Sequence, residues 1–377
     1  MTTVESRERT GLVPVEVVVA ELVEDDGSTG SGAVAVHDPA AAVLAALEKG
    51  AEEELNRARA HKTRTGYARD WEVWREFHDW LGEQTGHRLP DTAVTRGTVV
   101  AFVTWLDEVV KAPPSTIDRR VTGVTVTARR PPYGVQVPKE ATLAARELIR
   151  KYKNDPQRMA RGRGQAEPAT PEHLRRMHTA NPLVPRRPDS RRRRQEYVLP
   201  DMAVYRNQAL TKMAWAISGR AAEVSALEIS HIKLTDGGLE VHVPSVKGRP
   251  PREVEVAYGE HPDSCPVLAW LAWQGAAELT EGPAFRSVDQ WGHLGSQRLS
   301  PDGCRLVITR AGKQAGIEVT LTGHSARAGF ITTAIEQGKR PDQVRQQSGH
   351  AAKSAVFWEY VRKAQRWHNP VSRGIGL

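Results

Sequence analysis

Four features pair residue types and spacings that suit chemistry on an anion. Ser218-Gly219-Arg220-Ala221-Ala222-Glu223 sets an arginine and a glutamate three positions apart, at a turn where Gly219 frees the backbone. A guanidinium held by a carboxylate is a fork suited to phosphate oxygens; the plainer reading is a surface i,i+3 salt bridge. Lys247 stands in a basic turn, Lys247-Gly248-Arg249-Pro250-Pro251. On a two-stranded ribbon it can dip into a minor groove beside a phosphate, or it is simply solvated. His324-Ser325-Ala326-Arg327 opens a helix, so two cationic side chains share a face at an N-terminus that favours an anion. A capping histidine beside a surface arginine would read the same way. Gly349-His350 is followed ten residues later by Tyr360, close to Trp358, where a tyrosine also suits a core.

Other chemistries lack their signatures. The 13 histidines are scattered, with no His-Glu-x-x-His and no Cys/His cluster. No Gly-x-x-x-x-Gly-Lys-Ser/Thr loop and no Gly-x-Ser-x-Gly elbow occur. Metal and ATP are therefore not expected as cofactors. Two cysteines, Cys265 and Cys304, cannot build a disulfide framework or a zinc finger, which points to a reducing compartment.

Helices must position these groups. Tyr67, Trp71, Trp74, Phe77 and Leu81 recur on one helix face, as do Val99, Phe102, Leu106 and Val109/Val110. A third helix follows Pro113-Pro114 with Ser115 as candidate N-cap, burying Ile117, Val121 and Val124; a fourth runs over 139–153. The outer faces of this unit carry Lys62, Arg64, Arg69, Arg119 and Arg120. Arg161 and Arg163 lie in a Gly/Arg stretch that reads as a linker. A second domain starts near Thr170-Pro171-Glu172. It continues through a basic loop with Arg191 and Arg192, a helix from Met202 to Ile217, and a hairpin formed by 239–243 and 253–257 around Lys247. The rest reads as helical: 266–279, 300–315, 324–338, 341–348 and 354–366. The expected organisation is a largely disordered acidic leader over 1–50 with a short strand at Val15 to Val19, a helical domain over 51–157, a linker over 158–169 and a second domain over 170–377.

Charge has the same division. The chain has 377 residues with 53 basic and 45 acidic side chains, net +8. Residues 1–50 hold three basic and nine acidic residues, net −6, so the remainder carries +14. A basic body behind an acidic leader suits a polyanion, most simply nucleic acid, or merely a soluble basic protein. No apolar run reaches eighteen residues, so no transmembrane helix is expected.

Arg, Lys, His-x-x-Arg, Gly-His and Tyr in this order resemble the tyrosine recombinase, or phage integrase, family, with Cre-like members nearest. The similarity covers about residues 55–377. It is carried by Gly323-His324-Ser325-Ala326-Arg327-Ala328-Gly329-Phe330, by the Asn207 to Leu227 segment around Arg220, and by the Asn369-Pro370-Val371 tail. Two departures stand out: the family usually has nine positions from the Gly-His histidine to the tyrosine, and here there are ten. The hairpin around Lys247 is short, which keeps Lys233 as a fallback.

The resemblance implies a mainly α fold with a small β-sheet, a helical core-binding domain joined to an α+β catalytic domain, and a C-shaped clamp on duplex DNA. It implies Tyr360 as nucleophile forming a 3′-phosphotyrosine, and Arg220 and Arg327 neutralising the phosphate. Lys247 would be general acid, His324 base and His350 a phosphate donor, with Glu223 orienting Arg220. No cofactor is implied. DNA-binding candidates are Lys62, Arg64, Arg69, Arg119, Arg120, Arg161, Arg163, Arg191, Arg192 and Arg249. The implied partner is a recombination site held by a homotetramer joined through C-terminal tails, with Trp367 as anchor, in the bacterial cytoplasm at the nucleoid. A type IB topoisomerase, a hairpin-telomere resolvase and a silent DNA-binding regulator are the alternatives.

Overall fold

The structure is a computed structural model and describes residues 39–58, 61–180, 201–246 and 248–366. The chain divides into two compact units, Met1–Gly162 and Arg163–Leu377. The expected strand at Val15 to Val19 lies outside the described residues. Among those described, no helix is long and apolar enough to cross a membrane.

The first unit is helical: α1 (Pro39–Ala58), α2 (His61–Thr85), α3 (Arg96–Glu108), α4 (Pro114–Ala128), α5 (Lys139–Lys153) and α6 (Pro156–Ala160). The 3.6-residue apolar period of α2 to α5 becomes one core. Trp74, Phe77, Phe102, Leu106, Ile117, Val124 and Ile149 are buried in it. The rings of Trp74 and Phe102 meet edge-on at 5.0 Å. Thr95 caps α3 by accepting from Thr98 N–H.

Four expectations are corrected. Helix α1 begins at Pro39, so residues 39–50 are helical rather than part of a disordered leader. Ser115 is not a cap: Pro114 occupies the first helical position, where its missing N–H costs nothing. Val109 and Val110 are exposed, because α3 ends at Glu108 before they could complete its apolar face. The supposed linker is half structural. Buried Asp107 accepts from Arg158 Nε at 3.0 Å and from Arg161 Nη1 at 2.7 Å, and the Arg158 guanidinium lies 4.5 Å over the Tyr152 ring. These contacts tie the chain to the first unit as far as Arg161.

His78 sits in this core with no exposed surface, and neither ring nitrogen has a hydrogen-bond partner. Trp74 and Phe77 pack on it at 4.5 and 5.3 Å. Burial lowers its pKa, so the folded state holds the ring neutral. An unfolded histidine titrates near pH ~6.5. The stabilisation is therefore complete above that pH and is lost as pH falls through the lower folded value, by at most about 1.4 kcal/mol per pH unit. Thermal melts from about pH 8 to pH 5 should show a steeper acid loss for wild type than for His78→Leu. Equal slopes would refute it.

The second unit holds α7 (Pro171–Ala180), α8 (Asp201–Ala216), α9 (Ala221–Ala226), β1 (Ile232–Thr235), β2 (Gly238–Val243), β3 (Arg252–Ala257), α10 (Pro266–Ala276), β4 (Arg286–Val288), β5 (Leu294–Arg298), α11 (Pro301–Gln314), α12 (Ser325–Glu336), α13 (Pro341–Ser348) and α14 (Ala355–Gln365). Strands β1, β2 and β3 form an antiparallel sheet in that order, with Ile232 opposite Val241 and Val241 opposite Val254. The two-residue period buries Leu239, Val241, Val243, Val254 and Val256. They face a core with Leu210, Met213, Trp270, Trp273 and Phe285. A second cluster, Ile331, Ile335, Val344, Phe357 and Val361, packs α14 on α12 and α13. Strands β1, β4 and β5 were not foreseen; residues 294–298 lack the apolar alternation that marks a strand.

Candidate active site

Helix α8 is buried on nearly every side, which fixes the turn that follows it. Ser218 there takes φ +49, an uncommon value for a residue with a Cβ. Its carbonyl is thereby turned to Arg327 Nη1, at 2.6 Å. Gly219 is required by close packing: a Cβ would come within 2.9 Å of Ile217 Cγ1. Arg220 follows as the N-cap residue of α9. Glu223 holds it twice, accepting from Arg220 Nη1 on Oε1 at 2.6 Å and from Arg220 N–H on Oε2 at 3.0 Å.

Glu223 is only 3% exposed. Burial alone would raise its pKa, but Arg252 and Arg220 outweigh that and hold it below the usual carboxylate range. Arg252, at the start of β3, donates to Glu223 Oε2 at 3.0 Å. The sequence reading missed this arginine. The available signal was its place beside the basic turn, next to Pro250-Pro251.

Arg327 lies in the first turn of α12 and is 5% exposed. Burial, and then the charge of Arg220, push its pKa down to about 9, so it is cationic at neutral pH. Its Nη2 meets the His350 imidazole at 3.0 Å. His350 follows Gly349, which ends α13 in the left-handed region at φ +60. Ser348 Oγ lies 2.9 Å from His350 Nδ1. Burial, then Arg327, drive this histidine down to about 3, so it is neutral and accepts from the guanidinium.

Tyr360 stands on α14, which Ser354 caps by accepting from Phe357 N–H. Phe357 and Val361 are buried and leave Tyr360 half-buried between them. Its hydroxyl makes no hydrogen bond among the described residues. Burial raises its pKa, with Arg327 acting against the rise. It opens on a cleft of roughly 320 Å³ lined by Arg163, Gln165, Thr332 and Lys363.

The fold thus gathers two bonded pairs, Arg220–Glu223 and Arg327–His350, that act on one another electrostatically, with Arg327 also acting on Tyr360. His324 is exposed immediately before α12, while Arg327 turns inward, so the two do not share an outward face as the spacing suggested. Lys247 lies outside the described residues. The fallback Lys233 is paired with Glu240 at 3.1 Å across β1 and β2.

The expected DNA-binding residues separate. Arg249 is exposed and donates to the Gly349 carbonyl at 3.4 Å, beside the bonded pairs. Arg64 and Arg163 are exposed; Arg69 is exposed and paired with Glu72 at 2.9 Å. Arg119 is bound to buried Asp70 at 2.6 Å, and Arg161 to Asp107. Arg120 does not stand on the outer face as expected: its Nε and Nη1 are buried. The two adjacent arginines pack against α2, where Asp70 attracts both. Arg191, Arg192 and the side chain of Lys62 lie outside the described residues.

The described residues thus form a helical unit and a second unit with a small antiparallel sheet, the latter carrying a guanidinium–imidazole pair and a tyrosine. Residues 196–366 match the model of the Phage integrase family. The fold is shared with solved structures. A lambda integrase dimer bound to a COC′ core site has TM-score 0.52 and 14% identity, over 85% of this chain and 94% of that one. The Tn1549 transposon integrase in complex with transposon right end DNA has TM-score 0.51 and 14% identity, over 84% and 96%. The XerH site-specific recombinase bound to palindromic difH substrate has TM-score 0.50 and 15% identity, over 81% and 80%. No curated protein matches the chain.

Proposed function

We propose that this chain is a site-specific recombinase that cleaves and rejoins DNA through a 3′-phosphotyrosine on Tyr360. The observation that supports this most is the charge of the site. Arg220, Arg249 and Arg252 act electrostatically on Arg327, and the carboxylate in this cluster, Glu223, is bonded to Arg220 and Arg252 alone. Guanidiniums so clustered repel one another unless an anion joins them. A phosphodiester supplies that anion, and a pentavalent transition state supplies more charge than the ground state.

Arg220 and Arg327 contact the non-bridging oxygens. His350, neutral when no ligand is bound, exchanges its bond from Arg327 for one donated to phosphate. The Tyr360 oxygen attacks phosphorus, its proton passing to His324, and the 5′ oxygen leaves with a proton from Lys247. The phosphotyrosine conserves the bond energy, so a 5′ hydroxyl from a partner duplex can reverse the step and complete strand exchange. Duplex DNA as partner accords with the DNA named in the similar structures. A homotetramer joined through the tail over 361–377 and action at the bacterial nucleoid complete the proposal; Trp367, the anchor of that tail, lies outside the described residues.

The test is recovery of genomic DNA bound covalently to the protein after SDS, sequencing of the attached site, and cleavage of a nicked duplex carrying that sequence. One recurrent site with an SDS-stable adduct is expected. Relaxation of any supercoiled plasmid with no site preference would favour a topoisomerase, and absence of any adduct a silent regulator.

A further inference from the structure

Arg252 is the first residue of β3, at the end of the turn that carries Arg249. Its side chain is 12% exposed and its bonds run inward. Nε donates to the Gln347 carbonyl at 2.7 Å, three residues before His350. Nη2 donates to the Ile217 carbonyl at 3.2 Å, three residues before Arg220, and to Glu223 Oε2 at 3.0 Å. Gly349 packs against it: a Cβ there would stand 3.3 Å from Arg252 Cδ and Nη1. One planar group therefore joins the turn before Arg220, the carboxylate that grips Arg220, and the last turn of α13 before His350.

We propose that Arg252 is a positioning residue for DNA cleavage, holding Arg220 through Glu223 and holding His350 through the last turn of α13. This rests on the recombinase reading above. A buried ion pair adds little net stability, because desolvation cancels much of its attraction. What the rigid fork of an arginine adds is direction, since its N–H groups bond three separate partners in one plane. The bonds also connect β3, and through it the preceding turn, to the turn before Arg220 and the last turn of α13. A shift of about 1 Å at such groups slows chemistry about 100-fold while binding changes little.

Glu223 supplies a readout that packing alone would not move. The charged and titratable groups around it are Arg220 on its own helix, Arg252 from β3, Arg327 from α12 and His350 after α13. With Arg252 removed, desolvation dominates and the carboxylate takes up a proton at higher pH. Its charge-assisted grip on Arg220 then weakens as the solution is acidified.

The experiment measures single-turnover cleavage of the nicked duplex carrying the recovered site, using the full chain. Arg252→Met should cleave about 100-fold more slowly, with gel-shift affinity nearly unchanged. Its rate relative to wild type should fall further from about pH 8 to pH 5.5. Arg252→Lys should restore part of the loss. Combined with Glu223→Gln, the double variant should be no slower than the slower single within about twofold, because the two residues act in series. Near-wild-type cleavage by Arg252→Met at every pH overturns the proposal. So do additive losses with a pH-independent ratio, which a mere drop in folded protein would give. Tyr360→Phe on the same duplex separates the two levels. An adduct that survives it overturns the recombinase reading, whereas its absence beside a fully active Arg252→Met overturns only the role of Arg252.

Discussion

Tyr360→Phe should bind its DNA as wild type does and form no SDS-stable adduct. The substitution removes one oxygen from a half-buried ring whose hydroxyl makes no hydrogen bond among the described residues. Phe357 and Val361, which hold α14 in place, are untouched. Fold and affinity should therefore survive. Losing a covalent nucleophile costs on the order of 10⁶ in rate, which takes the adduct below detection. The raised phenol pKa adds a sign. At neutral pH the hydroxyl is protonated, so wild-type cleavage should speed up as pH rises and the phenolate becomes accessible. A gel of SDS-treated reactions at several pH values checks both statements. An adduct in the phenylalanine variant would reveal another nucleophile.

Arg327→Ala should have the next largest effect, about 10³-fold or more on cleavage with affinity changed far less. A preorganised donor to a developing anion is worth about 10²–10³ in rate, and this one carries a full charge in a buried position. Arg220→Ala should behave alike, since its guanidinium is the other fork. Removing Arg327 also strips the Ser218 carbonyl of its 2.6 Å donor, which costs about 1–3 kcal/mol of stability. Melting curves must therefore accompany the kinetics, and rates be compared at temperatures where both proteins are folded. The variant leaves a second trace. His350 is held down to about 3 by burial and then by Arg327, so its pKa should rise when the guanidinium goes. Histidine resonances followed by NMR against pH would register the rise. An unchanged cleavage rate would remove Arg327 from the site.

Much of the fold was legible where a period was strong. Residues 139–153 read as a helix from sequence, and α5 occupies that span because Ala141, Ala145, Ile149 and Tyr152 repeat on one face. The alternation in 239–243 and 253–257 likewise yields β2 and β3. Periodicity failed where the deciding contact was distant. Strands β4 and β5 pair through backbone groups that carry no side-chain signal. Arg161 read as a free cation because nothing near it in sequence announces Asp107, more than fifty residues away and buried.

For the site, residue types and order were enough to nominate the tyrosine, two arginines, two histidines and Glu223. Local spacing even anticipated the Arg220–Glu223 bond, since an i,i+3 pair on one turn needs no tertiary contact. Spacing could not tell that Arg327 turns inward to a carbonyl 109 positions earlier, or that Arg252 bonds Glu223 and the carbonyls of Ile217 and Gln347. Those outcomes depend on burial and on the sum of nearby charges, which exist only once distant segments pack together. By itself the sequence determined which groups can react. Tertiary structure decided which cations are exposed, which are bound to carboxylates or carbonyls, and which stay charged or neutral, because desolvation and Coulomb forces act through space.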